Sequence, residues 1–278
     1  NGEFVSDFDK QSILSNLKGY TLAGINQKIL DLKILYVELD SFVYYDQSKV
    51  TTVSDLKTSI TNGLLTYASS TDLNKFGGRF KYSKMLNVID NIDDAITSNI
   101  TRVRIRRNLK SLVNQFAQYE LCYGNRFHIN PEGKNIKSTG FTIQGQVDTL
   151  YFTDIPNKNA DGTLDGSGRG VLAIVKGDTE LSRGQLVVAS AGIVDYEHGE
   201  VIISTVNITS TQKDNNIIEI QAFPESNDVI GLKDLYLSFA VGDSAINMVK
   251  DTITSGEQIS GVGYKVTSSY ANGALVRG

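Results

Sequence analysis

An α+β protein is the fold class the sequence predicts, with an N-terminal α/β layer module followed by a predominantly antiparallel β domain. Three observations lead there. Residues 32–45 alternate between apolar and polar side chains, and residues 101–107 do so again. Between these runs lie two segments in which apolar residues recur every three or four positions. After Asn108 that helical period nearly vanishes, and short β-rich runs recur between clusters of Gly, Asn and Asp. Period two marks a half-buried strand and a period near 3.6 an amphipathic helix.

The first helical segment is Asp9 to Lys18, with Ile13, Leu14 and Leu17 on one face and Gly19 as its stop. It is short and needs something to dock on. From Leu32 to Tyr45, Leu35, Val37, Leu39 and Val43 share one face, against Lys33, Glu38 and Asp40 on the other. Ser54 is expected to cap a helix carrying Leu56, Ile60 and Leu64, which ends near Ser69 to Thr71. A second helix is expected from about Ser83, its stripe built by Met85, Ile89, Ile92 and Ile96, its outer face by Asp90, Asp93 and Asp94. Thr101 to Arg107 then returns as a strand, so helices should cover one face of a small sheet.

The β-rich part is read as Phe116 to Tyr123, Phe141 to Val147, Val171 to Val175, Leu186 to Ala189, Val201 to Ile208, Ile217 to Ala222 and Leu235 to Phe239. The composition shift places a domain boundary near residue 109, dividing 1–109 from 110–278. No Pro/Gly-rich linker marks it, so the two halves can share a core. Gly256 to Gly278, rich in Gly, Ser and Asn, reads as an irregular tail.

Length and 40% hydrophobic content allow substantial cores. The net charge of -4 and a pI near 5.3 give no global pull towards nucleic acid or an anionic membrane. One cysteine, Cys122, excludes an internal disulfide and any Cys-based metal site, and fits assembly in a reducing compartment. No apolar run is long enough to span a membrane, and no signal peptide is visible, so a soluble protein is expected. The opening Asn1-Gly2-Glu3-Phe4 lacks an initiator methionine and reads as junction sequence on a fragment of a longer protein.

Chemistry is sparse. His128 and His198 are the only histidines, and neither lies in a recognisable catalytic motif. The G-x-S-x-G, H-E-x-x-H and P-loop patterns do not occur. Asn157 to Asp165 alternates oxygen-bearing side chains as a calcium loop does, but the twelfth position is Gly168 where a bidentate Glu is needed, so a hairpin loop is expected. Gly166-Ser167-Gly168-Arg169-Gly170 precedes a strand, whereas a dinucleotide fingerprint follows one. Asp90, Asp93 and Asp94 read as a solvated acidic face, and Asp195 to Glu200 as a hairpin tip. The densest basic cluster is Arg102, Arg104, Arg106 and Arg107, the first three on one strand face. It has no interleaved aromatics, and an ordinary charged or subunit-facing surface is preferred to nucleic acid.

Two segments carry a resemblance. Gly77-Gly78-Arg79-Phe80-Lys81-Tyr82-Ser83, the helix with Met85, Leu86, Ile89 and Asp90, then Thr97-Ser98-Asn99 and Arg102-Val103-Arg104 are similar to the baseplate J-like family. Ala191-Gly192-Ile193-Val194-Asp195-Tyr196-Glu197-His198-Gly199-Glu200, running into Val201-Ile202-Ile203, resembles the G-x-I-D-Y-x-x-G hairpin of T-even-type baseplate wedge subunits, in their carboxy-terminal part. The resemblance extends over most of residues 8–240 and is strongest at 77–107 and 190–206. It implies a structural, non-enzymatic subunit of a contractile phage tail, assembled in the host cytoplasm and resident in the virion baseplate. Such a subunit joins copies of itself, as a homodimer or ring, and other wedge proteins around the tail hub. The family's longer members have an amino-terminal half that this chain lacks.

The expectations that follow are no cofactor, no metal, no small-molecule substrate and no membrane partner. Arg102, Arg104, Arg106 and Tyr196 are the candidate interface residues. A carbohydrate- or receptor-binding tail module is the alternative, made less attractive by the absence of tryptophan. An enzyme such as a tail-associated hydrolase would need two carboxylates brought together by the fold.

Overall fold

The structure is a computed structural model, and it describes residues 7–20, 27, 29, 32–70, 72–177, 184–252, 268–271 and 274–277. In chain order the elements are α1 (Asp7–Lys18), β1 (Ile34–Tyr45), α2 (Val53–Ala68), β2 (Lys75–Phe76), β3 (Arg79–Phe80), α3 (Tyr82–Asp90), β4 (Ile96–Lys110) and β5 (Phe116–Cys122). There follow β6 (Lys137–Ser138), β7 (Phe141–Ile143), β8 (Leu150–Pro156), β9 (Arg169–Lys176), β10 (Gln185–Asp195), β11 (Glu200–Thr211) and β12 (Ile217–Ala222). The last are β13 (Val229–Ile230), β14 (Tyr236–Phe239), β15 (Ala245–Lys250), β16 (Ser268–Ala271) and β17 (Ala274–Arg277). The chain divides into two compact units, residues 1–33, which hold α1, and residues 34–278.

Within the second unit most strand pairs are antiparallel, and thirteen strands join in one continuous sheet. β1 and β4 form its longest ladder, Tyr36 opposite Arg106 through Tyr45 opposite Ile96. β4 spans the expected boundary at residue 109, and its far end pairs with β12. The other edge of β1 receives late parts of the chain as parallel strands, β14 along Ile34–Val37 and β15 along Asp40–Tyr45. A short 3-10 turn, Val241–Asp243, steps between them. There the backbone N–H of Leu39 donates to the Ser244 hydroxyl, 3.0 Å away, in place of a strand partner. A buried N–H left bare would cost more than the serine does.

Period two dictates what each face of β1 does. Leu35, Val37, Leu39 and Val43 are fully buried, as are Val103 and Ile105 of β4, and they share a core with Leu56, Ile60 and Leu64 of α2 and Met85 and Ile89 of α3. Each such side chain contributes about 1.5–3 kcal/mol by leaving water. α2 starts at Val53 with Thr52, not Ser54, as its N-cap, because Val53 already packs on this core. α3 ends at Asp90, earlier than the Ile92 and Ile96 spacing predicts. Asn91 closes the helix, the Asp93 carboxylate accepts the N–H of Ala95 at 2.8 Å, and Ile96 opens β4. The three aspartates therefore do not share one helical face.

Beyond β4 the sheet continues through β12 and β6 to β8. Strands β7, β8, β9, β10 and β11 then pair in a closed cycle. Its interior holds Phe141, Leu150, Phe152, Leu172, Ile174, Val194, Val201, Ile203 and Ile208, all buried, with Phe141 stacked on Phe152 at 4.4 Å. β8 was not expected, and the run expected over 141–147 stops at Ile143, where Gly145 turns the chain at φ +83°. In the stretch expected to be irregular, β16 and β17 form a hairpin. The remainder of 256–278 lies outside the described residues.

Two hairpins show what the turn residues do. Asp195 pairs with Glu200 at the end of the β10–β11 ladder, and Gly199 closes the turn at φ +65°. A Cβ at Gly199 would lie 2.0 Å from the backbone oxygen of Asn125, whereas one at Gly162, φ +85°, would meet nothing within 4 Å. Gly162→Ala is expected to cost about 1–2 kcal/mol for the left-handed backbone alone. Gly199→Ala adds an overpacking cost of about 1–3 kcal/mol. Thermal melting of both variants checks this, and equal shifts would count against the packing argument.

Candidate protein interface

The second face of β1 carries Ile34, Tyr36, Glu38, Asp40, Phe42 and Tyr44. Cross-strand register sets Tyr36 against Arg106, Glu38 against Arg104, Asp40 against Arg102 and Phe42 against Ile100. On the far side of β4, Gln221 of β12 lies opposite Arg106 and Glu219 opposite Asn108. Directly opposed residues of an antiparallel pair share a face, so these side chains form one surface. Tyr36, Asp40, Phe42, Tyr44, Ile100, Arg102 and Arg104 are all partly exposed on it.

The arginines have different fates. Arg106 is buried, and its guanidinium joins Glu38, the Glu219 carboxylate at 2.9 Å, Asp243 at 2.7 Å and the Asn108 side-chain oxygen at 2.7 Å. Its plane lies over the Tyr36 ring, 4.4 Å from the centroid. Glu38 is buried too, and its second oxygen accepts from Gln221 at 2.9 Å. Burial pushes the Glu38 carboxyl up, against the attraction of Arg106. Both Glu38 oxygens are therefore committed, and Arg104, directly opposite, acts on Glu38 only through its charge, with no ion-pair contact among the described residues. Its Nε is buried and, among the described residues, has no hydrogen-bond partner. Arg102 lies over the Phe42 ring at 5.8 Å. Arg107 points to the other face, where it is buried and donates to the backbone oxygen of Cys122.

Tyr196 also lies inside. Its hydroxyl donates to Asp154 at 2.7 Å, and the other Asp154 oxygen accepts the N–H of Ile136 at 2.7 Å. Burial first, and the Asp154 carboxylate second, push the Tyr196 hydroxyl up. Burial likewise raises the Asp154 carboxyl, against the hydrogen bonds it accepts from Tyr196 and from backbone N–H groups. The pair ties β8 to the tip of the β10–β11 hairpin. Of the four candidates, then, Arg106 and Tyr196 hold the fold together, and Arg102 and Arg104 reach the surface. The sequence reading missed Asp154, whose only local signal is a carboxylate inside an apolar run, Leu150 to Pro156.

The remaining chemical candidates are tied up locally. In the loop after β8, the Asp161 carboxylate accepts the N–H and hydroxyl of Thr163 at 2.9 and 2.6 Å. Asp165 accepts those of Ser167 at 2.8 and 2.7 Å. These contacts hold both carboxyls below their ordinary range and build the turns of a hairpin loop. His198 sits at the hairpin tip, its ring 3.1 Å from Asp195. His128, its imidazole shifted down by burial, lines a cavity of about 360 Å³ with Arg126, Tyr196 and Glu225. Among the described residues no group of three or more His, Cys, Asp or Glu side chains could hold a metal ion. Among them, too, no helix is long and apolar enough to cross a membrane.

The β1–β4 face is a charged and aromatic sheet surface on a mostly antiparallel β fold. Residues 33–108, which span β1 to β4 with α2 and α3, match the family described as baseplate structural protein gp6, C-terminal domain III. That match is consistent with the resemblance to baseplate wedge proteins of T4-like phages. Comparison with curated proteins gives no match.

Proposed function

We propose that the chain is a structural subunit of a phage tail baseplate wedge, joining like subunits and other wedge proteins into the ring around the tail hub. The observation that carries this reading is the family match over residues 33–108, the segment that builds the open β1–β4 surface. In this reading residues 1–109 form an α/β layer part and residues 110–278 a β-rich part, and the two offer different contacts. Copies of the chain associate as a dimer or a closed ring, the symmetric solutions that repeated subunits favour. The subunit resides in the virion tail, is assembled in the host cytoplasm and performs no catalysis.

Light scattering on the purified chain, alone and mixed with separately purified wedge proteins of the same phage, tests the proposal. A mass that is a multiple of 30.4 kDa alone, or a defined larger complex in the mixture, is expected. A strictly monomeric mass in both samples would overturn it.

A further inference from the structure

Arg102 and Arg104 stand two residues apart on one face of β4, so their side chains leave the sheet roughly 6–7 Å from each other. Among the described residues neither has a carboxylate within ion-pair distance. The acids closest to them by register are spent or turned elsewhere. Glu38 is held by Arg106 and Gln221, and the Asp40 carboxylate accepts from Asn247 at 3.4 Å. Arg102 lies over Phe42, and beyond it along the same face come Ile100 and Tyr44, all three partly exposed. The face thus carries two guanidiniums with no carboxylate contact among the described residues, with apolar side chains beyond Arg102.

We propose that this face docks an extended segment of another baseplate protein that bears carboxylates at alternate positions. The inference rests on the baseplate reading above and adds the chemistry of the partner. Alternate residues of an extended chain project to one side at the same 6–7 Å spacing, roughly, as the two arginines. Two acidic side chains can therefore meet Arg102 and Arg104 together, while the segment beyond the one on Arg102 continues along Phe42 and Ile100. Guanidinium forks match carboxylates with two parallel hydrogen bonds, and both side chains are partly exposed. A nucleic acid fits less well. Its continuous row of phosphates would run over Glu38, Asp40, Glu219 and Asp243 on the same face, whereas discrete carboxylates can avoid them.

Fluorescence anisotropy on the full chain tests this with three probes: a labelled ten-residue Val/Thr peptide with two Glu at alternate central positions, the same peptide with Gln for Glu, and a short DNA duplex. The acidic peptide is expected to bind at low salt, to weaken as salt rises, and to exceed the glutamine peptide by about tenfold or more. The double variant R102Q/R104Q should lose that advantage, and R102K/R104K should restore part of it, which separates charge loss from misfolding. Equal binding of the acidic and glutamine peptides, unchanged binding to R102Q/R104Q, or tighter binding to DNA would each overturn the proposal. Mixing wild type and R102Q/R104Q with purified wedge proteins keeps the two readings apart. If both enter complexes equally, the arginine face is not the dock and the baseplate reading stands. If wild type enters none, the baseplate reading falls and the peptides alone decide the surface.

Discussion

Arg106→Met is expected to destabilise the protein by about 3–5 kcal/mol, the cost of leaving a buried charge unpaired. Arg106 is the one cation in contact with Glu38, Glu219 and Asp243 at the same point, and these acids come from β1, β12 and the turn after β14. Methionine fills the volume and leaves Glu38 in the interior with Gln221 as its remaining contact. Lysine should rescue little, because one ammonium cannot span acceptors that four guanidinium bonds now reach. The deficit should depend on pH. Burial already raises the Glu38 carboxyl above its unfolded value, and loss of Arg106 raises it further. A carboxyl raised in the folded state contributes fully below its unfolded value, about 4.3, and loses that contribution as pH rises through the folded one. The gap to wild type should therefore be smaller at pH 5 than at pH 8. Urea denaturation at both values checks this; a deficit below about 1 kcal/mol at pH 8 would show that the cluster contributes little.

Asp154→Ala should cost about 3 kcal/mol or more, since it strips a buried tyrosine hydroxyl and a buried backbone N–H of their acceptor together. Asp154→Asn should cost far less. The amide oxygen can take one donor, and the Tyr196 hydroxyl can turn to accept from the amide nitrogen. The pH dependence runs in the same sense as for Glu38. The Asp154 carboxyl is raised by burial, so its contribution is complete below about pH 4 and declines as pH rises through the folded value. The advantage of wild type over Asp154→Asn should narrow accordingly between acid and neutral pH. Thermal melts across that range decide the matter, and parallel curves for the two proteins would mean that Asp154 ionises as freely folded as unfolded.

Much of the fold can be read from the sequence where the signal is local. β1, β12 and the β10–β11 hairpin follow from alternation and from Gly199, and α2 from Leu56, Ile60 and Leu64. Local spacing also misleads. Ile92 and Ile96 continue the rhythm of α3, yet Asn91 to Asp94 form a turn stabilised by hydrogen bonds that periodicity does not register. β8 is hidden because Thr153, Asp154 and Pro156 interrupt its apolar pattern, and Asp154 is admissible there only because Tyr196, 42 positions later, donates to it. The arginine face shows the same limit. Arg102, Arg104 and Arg106 are equivalent by period, and what separates them is the arrival of Glu219 and Asp243 from more than a hundred residues away. Sequence shows that three cations share a face, and tertiary structure decides which one is spent inside.

The parallel strands on β1 bear on how the protein is made. β4 can pair with one edge of β1 as soon as residue 110 has emerged, but the other edge waits for Tyr236–Phe239 and Ala245–Lys250. At ribosomal speeds of roughly 5–20 residues per second, the roughly 190 residues between Tyr45 and Tyr236 take on the order of 10–40 s to synthesise. Through that interval a long hydrophobic strand offers an unfilled edge to any neighbouring chain, the situation in which strand exchange and aggregation begin. Closure over so large a separation is also slow once synthesis is complete. Truncation before β14 should therefore yield a chain that associates through β1 instead of one that has merely lost its end.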